Sequence, residues 1–106
     1  MTPKQYKADT IAKCATMIAE HYQINAAKMF TDIQSKSAAV REARAILIHH
    51  LHRCGMSFDR IGKLVGRSPD HCQRAEHQGR IRMIPTDIEL LANLPQVPNS
   101  LNLATP

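Results

Sequence analysis

A chain of 106 residues has room for one core and one domain, and with 4% aromatics and no Trp that core must come from Ile, Leu, Val, Met and Ala, a palette that favours helices. No stretch approaches the roughly 20 apolar residues of a membrane span, and Met1-Thr2-Pro3-Lys4 has no apolar signal core behind it, so a cytoplasmic protein with no membrane partner is expected. The net charge of +5 is concentrated: residues 36–82 hold ten Lys and Arg against four acids, while the flanks are near neutral or acidic, which is the footprint of a polyanion site and equally of a solvated basic surface.

The first helix is predicted from about Asp9 to Tyr22, capped by Asp9 or Thr10, with Ile11, Cys14, Ala15, Ile18, Ala19 and Tyr22 on one stripe. Asn25 caps a short second helix, Ala26 to Phe30, with Met29 and Phe30 turned inward, and Thr31 to Ser35 reads as a loop. A long third helix spans Ser37 to Cys54 and stops at Gly55. Val40, Ala43, Leu47, His50 or Leu51, and Cys54 line one side of it. Ile46 and Ile48 widen the apolar face, as suits a central helix. Arg41 and Arg44 share a face near its start.

Ser57 caps a fourth helix, Phe58 to Val65, whose expected buried set is Phe58, Ile61, Leu64 and Val65, and Gly66 ends it. Ser68-Pro69 is a strong start signal for a fifth helix, because the hydroxyl caps and the proline takes the first helical position. That helix reaches Gln78, or passes Gly79 to Met83. After Pro85, Thr86-Asp87-Ile88-Glu89 reads as a capping box opening a short sixth helix to about Asn93. The domain is therefore placed at 1–93, and the Pro-rich segment 94–106 is expected to be a disordered tail. The fold class is all-α, with five main helices and a short sixth.

The strongest signal is the segment 57–78, which meets the requirements of a helix-turn-helix. Gly62 is a small residue where the second helix crosses the first, and Gly66 tolerates the turn. Cys72 and Ala75 are small residues for the inner face, and Ser68 caps the second helix so that its first residues reach a major groove. The outward positions are then Ser68, Pro69, Asp70, Gln73, Arg74 and His77, with Gln73 and Arg74 of the types that read adenine and guanine edges. Arg60, Lys63 and Arg67 would lie near phosphates. The structural alternative is a plain antiparallel helix pair with a glycine turn.

Ile18-Ala19-Glu20-His21-Tyr22-Gln23-Ile24 resembles the V-A-x-Y-Y-x-I opening of the C-terminal DNA-binding domain of the bacterial replication initiator DnaA. Ala43-Arg44-Ala45-Ile46 is similar to that family's A-R-Q-I, Ser57-Phe58-Asp59-Arg60-Ile61-Gly62 to S-L-P-E-I-G, and Gly66-Arg67 with Ala75 to the ends of G-R-D-H-T-T-V-x-H-A. The matches span about residues 11–82, with one residue missing before Gly55. The resemblance implies a tryptophan-repressor-like fold and a double-stranded DNA partner. By position it makes Arg44 a minor-groove or backbone contact, with Lys36 in the basic loop and Arg67 on a phosphate. Where the family has D-H-T-T, this chain has Ser68-Pro69-Asp70-His71, so the target sequence does not carry over. No G-x-x-x-x-G-K-[ST] is present, so the initiator's ATPase module is not expected.

The remaining groups invite weaker readings. His50 and Cys54 lie four apart on one helix face, but two ligands need two more and none stands out, so no metal and no cofactor is expected. His50 is expected at a buried or boundary position, and His49 and His52 are expected to be solvated or phosphate-facing. His71 and His77 are surface residues or DNA contacts. Cys14, Cys54 and Cys72 read as reduced thiols at small apolar positions. Together these features lead us to expect a non-enzymatic, sequence-specific DNA-binding protein of replication or transcription control, phage or mobile-element origin included. Its candidate contacts are Lys36, Arg41, Arg44, Arg60, Lys63, Arg67, Ser68, Pro69, Asp70, His71, Gln73, Arg74 and His77. The alternatives are a DNA-binding assembly protein such as a small phage packaging subunit, or a protein-interaction scaffold. A homodimer or another protein partner is compatible with all of these.

Overall fold

The computed structural model describes residues 3–31 and 36–97. They form six helices, α1 (Pro3–Tyr22), α2 (Lys28–Thr31), α3 (Ala38–Arg53), α4 (Phe58–Val65), α5 (Pro69–Arg82) and α6 (Pro85–Asn93), and no strand is present among the described residues. The fold is all-α, as expected. No helix is long and apolar enough to cross a membrane among the described residues.

The serine caps decide three starts. Ser37 Oγ accepts from the Val40 amide (3.4 Å), Ser57 Oγ from Arg60 (3.3 Å) and Ser68 Oγ from His71 (3.2 Å). Three stops share another device, a left-handed residue followed by an amide reaching five residues back. Gln23, Gly55 and Gly66 have positive φ, and Ile24, Met56 and Arg67 donate to the carbonyls of Ala19, Leu51 and Gly62. Gly66 and Gly55 were the expected stops; Gln23 supplies the same geometry without being glycine.

Three starts differ from expectation. α1 begins at Pro3, so Asp9 and Thr10 lie within the helix and cap nothing: proline is accommodated at the first helical position and no breaker follows it. Asn25 does accept from the Ala27 amide (2.9 Å), but that bond closes a turn over 26–27 and α2 starts at Lys28. α6 starts at Pro85 rather than Thr86, because the Asp87 carboxylate, not Glu89, turns back to accept from the Ile84 amide (3.2 Å). Thr31, expected to open a loop over 31–35, closes α2 instead, and residues 32–35 lie outside the described residues.

α3 packs against all five other helices. That position explains why its apolar residues, Val40, Ala43, Ile46, Leu47, Ile48 and Leu51, occupy most of its circumference and are all buried. Around it Cys14 and Ile18 of α1, Met29 of α2, Ile61 and Val65 of α4 and Cys72 of α5 complete the core. Leu64 corrects the expectation for α4. It is exposed, because Ile61 and Val65 already fill the inward stripe of a helix only eight residues long. Phe58 is half-buried, stacked on His52 of α3 with ring centroids 4.1 Å apart.

The tail boundary at residue 94 is also corrected. Leu94 and Val97 are buried in the core. The Pro95 carbonyl accepts from His50 Nε2 (2.8 Å) and from the Cys14 thiol (3.4 Å). Val97 donates its amide to Cys54 Sγ (3.5 Å). Proline removes donors but leaves its carbonyl, and here that carbonyl ties α1 to α3. Residues 98–106, the remainder of the expected tail, lie outside the described residues.

Candidate nucleic-acid interface

The segment singled out in the sequence consists of α4, a turn at Gly66-Arg67 and α5. Gly62 is required for a reason more specific than helix crossing. A Cβ there would collide with the carbonyl oxygen of Arg67, so the turn folds directly onto the glycine. The Arg67 amide in turn donates to the Gly62 carbonyl (2.9 Å). The returning helix is held by Cys72, fully buried, and by half-buried Ala75.

The inner face of α5 also carries a charge that periodicity did not reveal. Glu76 is buried and accepts from His49 Nδ1 at 2.7 Å. This corrects the expectation for His49, which faces α5 and not solvent. A buried carboxylate needs a donor, and the α3 imidazole supplies one.

The outer face of α5 is open. Ser68, Pro69, Asp70, Gln73, Arg74 and His77 are all exposed, and Gln73, Arg74, His77 and Gln78 frame a shallow depression along the helix. Arg60 and Lys63 are exposed on α4, and Lys36 and Arg41 are exposed just before and within the start of α3. Asp70 forms no ion pair with Arg74, four residues on.

Arg44 is the clear departure. Only 4% of it is accessible. Its Nε donates to the Met29 carbonyl (2.9 Å) and an Nη to the Lys28 carbonyl (3.3 Å), so it tethers α3 to the backbone of α2. A guanidinium spent on two carbonyls inside the protein does not reach a groove of DNA from this position. The role implied by resemblance is therefore corrected to a structural one.

Between α3 and α5 the surface opens into a cleft of about 940 Å³, closed at one end by the C-terminus of α1 and the start of α6. Arg41, Arg67, His71 and Arg74 meet there with buried Arg44, so the cleft gathers five of the candidate residues onto one surface, while Lys36, Arg60 and Lys63 lie outside it. Gln78 and Arg82 extend the same wall and were missed. Their spacing from Arg74, four and eight residues, was the signal that could have found them once α5 was known to pass Gly79. Gly79 lets the two walls approach, since a Cβ on it would stand 3.2 Å from that of Ala45. At the closed end, buried Asp87 accepts from the Tyr22 hydroxyl (2.9 Å) and pairs with His21 (3.2 Å). Burial, with Asp87 alongside, pushes the Tyr22 pKa up and keeps it a neutral donor. His71 is shifted down from the usual histidine value, first by burial and then by Arg67, Arg74 and Arg44.

The basic groups of this surface are not neutralised internally. Among the described residues, the ion pairs join His21 to Asp87 and His49 to Glu76, and Arg41, Arg67, Arg74 and Arg82 take part in none. Comparison of the chain with protein-family models, curated proteins and solved structures finds no match.

Proposed function

We propose that this protein binds double-stranded DNA, with α4 and α5 acting as a helix-turn-helix and α5 entering the major groove. The observation that carries this reading is the exposed row Pro69, Asp70, Gln73, Arg74 and His77. It stands on a helix whose other face is fixed by Cys72 and Glu76, beside Arg41 and Arg67, which take part in no ion pair among the described residues. A rigid helix with an open polar edge is what base reading requires, and unpaired cations beside it are what phosphates require. Gln73 and Arg74 are the base-reading residues, each discriminating by about 1–3 kcal/mol at one base pair. Arg60, Lys63 and Lys36 position the duplex through its backbone. The resemblance to the DnaA domain supports the same reading for α5, with the exception of Arg44. Regulation of replication or transcription is the role proposed for this binding.

Selection of bound sequences from a random duplex pool tests it. Wild-type protein should enrich a short motif, with an affinity whose log–log salt slope is around −3 to −6. Arg74→Ala and Gln73→Ala should keep the fold and the non-specific affinity and each lose preference at one position. Binding that is indifferent to salt, or an unchanged motif with uniformly weaker binding in both variants, refutes the assignment.

A further inference from the structure

The cleft between α3 and α5 has features that a DNA-facing surface does not need. Its volume of about 940 Å³ falls within the range of roughly 300–1,000 Å³ typical of small-molecule sites. One wall carries Arg67, Arg74 and Arg82 and the facing wall Arg41, with no carboxylate paired to any of them. The floor between the walls is apolar and narrow-profiled, formed by Ala45, Ala75 and Gly79. Glu42 and Asp87 add acceptors along its rim and end, groups that a duplex backbone would avoid.

We infer that this cleft binds a phosphorylated small molecule of nucleotide size. Phosphate is the anion that suits several convergent guanidinium forks, and Arg41, Arg67, Arg74 and Arg82 supply them from both walls. The apolar floor takes a flat body, and Glu42 accepts from hydroxyl or amino groups on it. α5 forms both the cleft wall, through His71, Arg74, Gln78 and Arg82, and the open edge at Asp70, Gln73 and His77. Occupancy therefore bears on how α5 meets DNA; this coupling rests on the proposed function, whereas the ligand site itself does not.

Thermal-shift titration of the full chain with the common ribonucleoside 5′-monophosphates at millimolar concentration tests the site, with the parent nucleosides and inorganic phosphate as controls. At least one nucleotide should raise the melting temperature more than its nucleoside or inorganic phosphate does. Arg82→Ala should weaken that nucleotide about tenfold or more, the loss of one charge-assisted contact. Ala38→Trp, at an exposed position on the cleft rim, should block it. The inference is overturned if no nucleotide stabilises the protein, if inorganic phosphate does so equally well, or if Arg82→Ala binds like wild type. Fluorescence anisotropy with a short duplex separates the two proposals. Duplex binding without any nucleotide response overturns only the ligand site, and nucleotide binding without duplex binding overturns only the DNA reading.

Discussion

Replacing Arg44 distinguishes a structural arginine from a DNA-contacting one. The side chain is buried and makes two hydrogen bonds to main-chain carbonyls, at 2.9 and 3.3 Å. A hydrogen bond involving a charged partner contributes about 1.5–3 kcal/mol. The shorter bond belongs at the upper end of that range and the longer one at the lower end. Arg44→Ala also strands the two carbonyls and removes the packing of the aliphatic stem, so a total loss of about 3–5 kcal/mol is expected, a large share of the roughly 5–15 kcal/mol that holds a domain together. Arg44→Met restores the stem without the donors and should recover about 1 kcal/mol of it. Urea denaturation is the assay. With a slope of about 1–3 kcal/mol per molar, Arg44→Ala should lower the midpoint by more than about 1 M with the slope unchanged. Lys36→Ala, at an exposed position that takes part in neither bond, should leave the midpoint in place. An Arg44→Ala protein that keeps its midpoint and instead loses DNA affinity would refute the reasoning and restore the role implied by resemblance.

Gly62→Ala sets a Cβ against the Arg67 carbonyl oxygen, backbone against backbone, and should cost about 1–3 kcal/mol in the same assay. Gly79→Ala meets only the Ala45 methyl at 3.2 Å, and the gain of about 1 kcal/mol in helix propensity should leave it near neutral. The pH dependence follows from two histidines and a thiol. Burial holds His50 and His71 below the usual histidine value of 6.5, so the unfolded chain takes up protons first. Their stability is present above that value and is lost as pH falls below it. His50→Gln, which keeps a donor for the Pro95 carbonyl, should flatten that acid limb. Burial pushes the Cys14 thiol from 9.0 up to about 11, so stability should also fall as pH climbs from 9 through 11, and Cys14→Ala should remove this alkaline component.

Local chemistry made much of the fold legible. Ser37, Ser57 and Ser68-Pro69 act within three residues of themselves, as do Gly55 and Gly66, and α3, α4 and α5 stand where those signals place them to within a residue at most ends. What was hidden depends on the partner across the core. Arg44 and His49 are polar and were expected to face DNA or solvent, and Glu76 drew no reading, yet each is buried because a specific acceptor or donor meets it on another helix. Gln23 shows the same limit at a stop, since nothing in its type announces a left-handed conformation. The prolines near Leu94 suggested disorder through composition, while Leu94 and Val97 find the core only in three dimensions, with Pro95 tied by its carbonyl. At the candidate site, the open edge of α5 was legible by helical spacing, but the cleft was not, because its two walls are separated in sequence by all of α4.

The strap at 94–97 gives the protein an internal clock. Pro95 lies 81 positions from Cys14, a longer closure than the 66 and 65 that join His21 and Tyr22 to Asp87. Joining it should be a late step in assembly, and releasing it an early one, because four residues give way more readily than a helix. Each release should uncover Cys14, otherwise wholly inaccessible, and free the half-exposed thiol of Cys54 from Val97 and Gln96. Cys72, sealed between α5 and the core, stays shut. Alkylation of the three cysteines, followed residue by residue by mass spectrometry, would thus time the opening of this edge against the unfolding of the whole. A Val97→Ala chain, with a weaker latch, should label Cys14 faster while the labelling of Cys72 hardly changes.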